Sequence, residues 1–360
     1  MIERSQRRNS RRAILFLLAA LGPAMPIAAQ ADETSAAPRR VPAKTLQVPT
    51  ADVSPGMQKI IAAPLNPAWN DQFTTGKEWR AFADHQAIKI NAGIPGMLQR
   101  LGVTMDHSVI DGVRVYTLTP NEIAPENRNR VLLHEHGGCY VLFPGETGAT
   151  EAIMMAGFGH IKVVMPDYRM PPEAYFPAPI DDSIAVYKAL MKTTPAANIG
   201  VFGTSAGGAL TLELALRAKQ LGLPLPGALG SGTPMSDATM VGDSFYANKL
   251  VDNVLVSPTG FCQAATVVYA KGHDLKDPLI SPVYGDMHGF PPTILTTGTR
   301  DLLLSNTVRV HRALHRAGVE ADLEVYEGES HAQYQFDDRV PETKEAFTEI
   351  QAFFDKHLGK

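Results

Sequence analysis

The stretch that most restricts what this chain can become is Gly203-Thr204-Ser205-Ala206-Gly207-Gly208. Ahead of it stands Ile199-Gly200-Val201-Phe202, short, apolar and partly β-branched, and behind it an Ala- and Leu-rich run reaches Gly222. That order predicts a strand, a sharp turn and a helix. A Gly-x-Ser-x-Gly turn suits an exposed serine, because the serine needs a strained backbone that pushes its hydroxyl outward, and small neighbours let strand and helix approach closely. Ser205 would then sit at a helix N-terminus, where free N–H groups accept negative charge. Small residues also cluster in ordinary turns, so the rest of the chain must decide.

The rest of the chain alternates. Short apolar runs stand at Val131–Leu133, Ile161–Met165, Ile199–Phe202, Gly227–Leu229, Thr293–Thr297 and Asp322–Tyr326, mostly separated by segments long enough for a helix. Ser108–Leu118 adds strand character around a turn at Asp111-Gly112. The expected fold class is therefore α/β, with a mostly parallel central sheet covered by helices on both faces. A length of 360 residues with 44% hydrophobic content can bury such a core. Chemistry belongs at the carboxyl ends of the strands. Residues 51–105 are helical in pattern and interrupted by Pro64, Pro67 and Pro95, giving two or three helices before a catalytic domain over 106–360. The connection from Asp237 to Asp286, with a helical run Gly260–Ala270, exceeds what a crossover needs. An insertion at about 237–275 is expected to pack with the N-terminal helices as a cap.

The N-terminus carries a separate message. Arg4, Arg7, Arg8, Arg11 and Arg12 precede the apolar run Ala13–Ala20, and Ala29–Ala31 offers an A-x-A-like cleavage site. Residues 1–31 read as a signal peptide, and Ser10-Arg11-Arg12-Ala13-Ile14-Leu15 is similar to a twin-arginine signal. A basic amphipathic cytoplasmic extension is the competing reading. The expectation is export to the periplasm or beyond. Gly22-Pro23 breaks the apolar run, so no stable membrane insertion is expected. Residues 32–50, with Pro38, Pro42 and Pro49, read as a flexible leader. A net charge of -4 carries no nucleic-acid signature. The only cysteines, Cys139 and Cys262, are expected to be two free, buried thiols, because nothing in the sequence brings them within bridging distance.

Just after the run Val131–Leu133 comes His134-Glu135-His136-Gly137-Gly138-Cys139-Tyr140. Gly137 and Gly138 can turn their amides toward a ligand without steric cost, and the N–H of Ala206 adds a third donor. A metal held by His134, His136 and Glu135 is the rival, but no further ligand cluster is evident and the glycines would then be unexplained. His136 is expected to shape the glycine loop. A serine nucleophile needs a histidine base and a carboxylate to orient it, in the chain order Ser, acid, His for such a fold. Four histidines follow in the right part of the chain: His311, His315, His331 and His357. His311 and His315 lie on an arginine-rich helical stretch and His357 in the C-terminal tail, so His331, directly after a strand, is the base. Asp301, after Thr293–Thr297, is the acid, although a carboxylate there could also serve as a helix cap.

These residues resemble the hormone-sensitive-lipase-like branch of the α/β-hydrolases, the bacterial family IV esterases, in the subgroup with Gly-Thr-Ser-Ala-Gly at the elbow. His136-Gly137-Gly138, Asp167-Tyr168-Arg169-Met170-Pro171-Pro172-Glu173 and Asp277-Pro278-Leu279-Ile280-Ser281-Pro282 are similar to that family's motifs. The resemblance implies Ser205, Asp301 and His331 as a catalytic triad, Gly137, Gly138 and Ala206 as oxyanion donors, and a helical cap. It implies that Asp167 and Arg169 hold loops together. Cys139 departs from the usual third glycine, and Ala332-Gln333-Tyr334 from the usual Gly-Phe after the histidine, which leaves the pocket wall open. The expected function is a serine carboxylesterase acting on a small-molecule ester of short to medium acyl chain. A lactone or amide hydrolase is the alternative within enzymes. A non-catalytic ligand-binding protein, as in the plant gibberellin receptors that look like this family, is the alternative outside it, and His331 argues against that. The chemistry requires no metal or organic cofactor, and a homodimer is compatible with the sequence.

Overall fold

In the computed structural model, which describes residues 41, 43 and 45–359, the alternation becomes an eight-stranded sheet. The strands are β1 (Val103–Ile110), β2 (Val113–Pro120), β3 (Val131–Glu135), β4 (Val163–Pro166), β5 (Ile199–Thr204), β6 (Ala228–Gly232), β7 (Thr293–Gly298) and β8 (Ala321–Tyr326). Their spatial order is β1-β2-β4-β3-β5-β6-β7-β8. Asp111 and Gly112 both take positive φ, which closes β1 and β2 into a tight hairpin. The β1–β2 and β2–β4 pairs are antiparallel, and the remaining pairs are parallel. The expected signal peptide and most of the leader lie outside the described residues. Among the described residues no helix is long and apolar enough to cross a membrane.

Side chains alternate across a strand, and here the two sets feed two cores. Val131, Leu133, Val201, Leu229 and Leu295 face a cluster supplied by α4 (Ala178–Leu190), α5 (Ala206–Gln220) and α8 (Leu304–Arg316). Leu132, Phe202, Ala228 and Ile294 face the opposite cluster, from α3 (Thr150–Gly159) and α9 (Pro341–His357). Every residue of β3, β4, β5, β6 and β7 is buried, as two covered faces require.

The N-terminal segment forms α1 (Pro55–Ile61) and α2 (Gly76–Leu101). Thr75 and Glu78 make a reciprocal capping box at the start of α2, and Gly102, in the left-handed region, ends it. Pro95 lies inside α2 and does not interrupt it as the sequence suggested. Tertiary packing decides this: Ile94, Met97, Leu98 and Leu101 join the core against α3 on either side of the proline. The long connection carries α6 (Ser244–Ala247) and α7 (Phe261–Ala270). It is tied to the N-terminal segment by main-chain bonds from Asn66 N to Asn253 O at 2.8 Å and from Phe261 N to Trp69 O at 2.8 Å.

Candidate active site

The turn after β5 has the strain that its sequence suggested. Ser205 sits at φ 65° and ψ -120°, a conformation that costs a non-glycine residue about 1–3 kcal/mol. Its backbone is held at both ends: its N–H donates to Gly232 O at 2.8 Å, and its carbonyl accepts from Met235 N at 2.9 Å and Ala209 N at 3.0 Å. The flanking glycines are required by close approach. A Cβ on Gly203 would lie 2.1 Å from the carbonyl oxygen of Glu135, and one on Gly207 1.8 Å from it. The end of β3 therefore rests directly on the elbow.

That contact brings the glycine loop to the serine. A Cβ on Gly137 would stand 3.5 Å from Ser205 Cβ, and Gly138 takes φ 105°. Among the described residues no group accepts from the amides of Gly137, Gly138 or Ala206. His136 fixes the loop as expected. Its ring stacks on Tyr168 at 4.0 Å, its Nδ1 lies 2.8 Å from Gly137 O, and Tyr168 Oη donates to His136 O at 2.6 Å. Burial pushes the His136 pKa down to about 4, so the ring is neutral. Asp167 accepts from Gly145 N at 2.9 Å, and Arg169 forms a fork onto Asp182, so both residues hold loops.

The metal alternative finds its three residues engaged separately. His134 Nε2 meets Glu151 Oε2 at 2.9 Å, His136 serves Tyr168, and Glu135 accepts from Ser183 Oγ at 2.7 Å. Burial raises the Glu135 pKa to about 8, which makes it a protonated acid at neutral pH. No group of three or more His, Cys, Asp or Glu among the described residues could hold a metal.

Asp301 and His331 meet at the ends of β7 and β8. His331 Nδ1–H donates to Asp301 Oδ1 at 3.1 Å, which leaves Nε2 free to take a proton. Asp301 also accepts from Leu303 N at 2.8 Å, from Thr297 Oγ1 at 2.8 Å and from Thr233 Oγ1. Burial disfavours the imidazolium, but Asp301, by charge and hydrogen bond, and then Asp252 outweigh it and hold the His331 pKa above the ordinary histidine value. The link to the serine runs through two neighbours. Thr233 Oγ1 lies 3.1 Å from His331 Nδ1, two residues before the Met235 amide bonded to Ser205 O. Thr204 Oγ1 meets Tyr334 Oη at 2.5 Å, so the residue before the serine touches the third residue after the histidine. Tyr334 is buried against the residue that precedes the elbow serine. Ala332 adopts φ 58°, a left-handed conformation that favours glycine. His311 and His315 point their Nε2 atoms at Ala321 O, 3.2 and 3.3 Å away, at the start of β8, whereas His331 follows the other end of that strand.

A profile described as the alpha/beta hydrolase fold matches residues 132–335. The chain belongs to this family. Within it the likeness is to esterases of the hormone-sensitive-lipase type. The crystal structure of an esterase, E25, is 43% identical, superimposes with a TM-score of 0.86 and covers 89% of this chain and 99% of its own. An esterase from the bacterial hormone-sensitive lipase family is 26% identical with a TM-score of 0.70, covering 85% of this chain and 99% of its own. An acetyl-hydrolase of Streptomyces hygroscopicus is 27% identical over 69% of this chain and 84% of its own length. The sheet, the elbow and the motifs around it are thus those of a hormone-sensitive-lipase-like α/β-hydrolase.

The cysteines overturn an expectation. Cys139 and Cys262 are not free thiols but a disulfide, with Cα atoms 5.3 Å apart. The separation of 123 residues hid the pairing, which forms because α7 packs on the glycine loop. The bridge ties the residue following Gly138 to the first turn of α7. In the chain-entropy view a loop this long predicts stabilisation of about 5 kcal/mol. A Cys139→Ala/Cys262→Ala double variant should therefore melt roughly 5–10 °C below the wild type in a calorimetric scan.

Proposed function

We propose that this hormone-sensitive-lipase-like hydrolase is a serine carboxylesterase in which Ser205, Asp301 and His331 form the triad. Ser205 Oγ attacks the ester carbonyl carbon while His331 Nε2 takes its proton. The amides of Gly137, Gly138 and Ala206 receive the charge that develops on the carbonyl oxygen. His331 then protonates the departing alkoxide, and water repeats the sequence on the acyl-enzyme. The single observation that carries this reading is a His331–Asp301 pair tied through Thr233 and the Met235 amide to a strained Ser205, beside three amides for which no acceptor stands among the described residues. Covalent labelling by a fluorophosphonate at Ser205 tests it directly. An absence of labelling would favour a binding protein.

Esters of short to medium acyl chain are the proposed substrates, supported by the likeness to an acetyl-hydrolase. The elbow sequence supports placement in the Gly-Thr-Ser-Ala-Gly subgroup. The α1–α2 segment and the 237–275 insertion are proposed to act together as the cap, and a homodimer is a further proposal, to be read by light scattering. Export is supported by the N-terminal pattern and by the disulfide, since such bonds persist in oxidising compartments. The exported protein should begin near Asp32, and finding Met1 intact there would refute the signal peptide.

A further inference from the structure

The connection between α6 and α7 delivers a carboxylate to the triad from outside the family's motifs. Asp252 is fully buried. Its Oδ1 accepts from Val254 N at 2.7 Å and Leu255 N at 3.0 Å, which fixes its own turn. Its Oδ2 accepts from Leu302 N at 2.7 Å and from His331 N at 3.3 Å. One oxygen thus spans the two triad loops, holding the amide next to Asp301 and the amide of His331 itself. The following residue anchors this clamp. Asn253 donates through Nδ2 to Ala63 O at 2.9 Å, accepts from Gln333 Nε2 at 2.8 Å, and its N–H donates to Ser330 Oγ at 3.2 Å. The connection therefore reaches the C-terminal end of α1 on one side and the histidine loop on the other.

We propose that Asp252 is the positioning residue of the reaction: it sets the separation of Asp301 and His331 through their loops and adds a second negative charge beside His331. The proposal rests on the triad reading above. The charged groups bearing on His331 are Asp301, from the β7–α8 loop, and Asp252; those bearing on Asp252 are Asp301 and His331. Burial and the nearby Asp301 raise the Asp252 pKa to about 6, against the opposing pull of His331 and the backbone donors, so it is mainly ionised at neutral pH. Four backbone N–H groups meeting one carboxylate explain why a carboxylate, and not an amide, fits here. In Asp252→Asn an NH₂ group at the Oδ2 position would oppose two N–H donors, and the charge would be gone.

The test compares wild type, Asp252→Asn and Asp252→Ala for p-nitrophenyl ester hydrolysis and for the rate of fluorophosphonate capture, per folded molecule as judged by near-ultraviolet circular dichroism. Asp252→Asn should lower kcat by about 10–100-fold and leave KM within about twofold. Its capture rate should fall in parallel, and the acid limb of its kcat/KM profile should move to lower pH, because the imidazolium loses a stabilising charge. A folded Asp252→Asn enzyme with kcat within about threefold of wild type would overturn the proposal. So would a kcat loss with an unmoved acid limb, or failure of both variants to fold, which would assign Asp252 to the fold alone. Wild-type enzyme that is not captured at Ser205 would instead overturn the triad reading, so the two failures are distinct.

Discussion

Replacing Ser205 by alanine should lower kcat by roughly 10⁴–10⁶-fold with the fold intact, and His331→Ala should match it. The hydroxyl is the only atom removed from an elbow whose strain and hydrogen bonds belong to the main chain, so the variant should melt close to wild type. The fluorophosphonate should no longer attach. Asp301→Asn should cost on the order of 10⁴-fold, because the imidazole loses the acceptor that fixes its tautomer. The pH profile supplies an independent readout. In the proposed mechanism His331 must be neutral to accept the serine proton, so activity should be present above its pKa and lost as pH falls through it. Asp301 and Asp252 hold that pKa above the ordinary histidine value, and the wild-type acid limb of kcat/KM should lie above about 6.5. Asp301→Asn should move it downward. Ser205→Ala that retained most of the esterase activity would end the assignment.

The second large effect is one of stability. Gly207→Ala should destabilise the protein by about 3–5 kcal/mol or prevent its accumulation as soluble enzyme. The new Cβ would lie 1.8 Å from Glu135 O and 2.7 Å from Glu135 C, and both atoms are backbone. No rotamer change relieves that overlap. Relief requires moving the end of β3, which carries His136, Gly137 and Gly138, so any soluble variant should also have lost kcat. Gly93→Ala supplies the contrast. Gly93 lies inside α2 with nothing within 4 Å of its would-be Cβ, and the substitution should stabilise by about 0.5–1 kcal/mol. Equal Tm values for the two variants would show that close packing at the elbow does not matter.

The parts of the site that could be read from the sequence are those whose chemistry is local. Ser205 announces itself through glycines at fixed offsets, and Gly137-Gly138 through their place behind an apolar run. His331 and Asp301 emerge because each directly follows a strand. Asp252 gave no comparable signal: it sits in an irregular connection, and its meaning comes from meeting amides 50 and 79 residues away. Thr233 carries no signal for the same reason, and Tyr334 stands out in the sequence only as a departure from the usual Gly-Phe. Pro95 predicts a break from its local penalty alone, and the packing of α2 on α3, which offsets that penalty, is not local.

The sequence alone determined the kind of molecule. Apolar periodicity dictated a sheet buried on both faces, and glycine placement dictated where the main chain could come close enough to build the elbow. Tertiary structure alone decided which distant groups share the buried space around it. It paired Cys139 with Cys262, gave Glu135 to Ser183 and His134 to Glu151, and brought Asp252 between the loops of Asp301 and His331. The reason is physical. Backbone conformation follows from near neighbours, whereas a buried charge or thiol takes its partner from whatever the packed chain sets beside it, and a linear order of residues does not contain that distance.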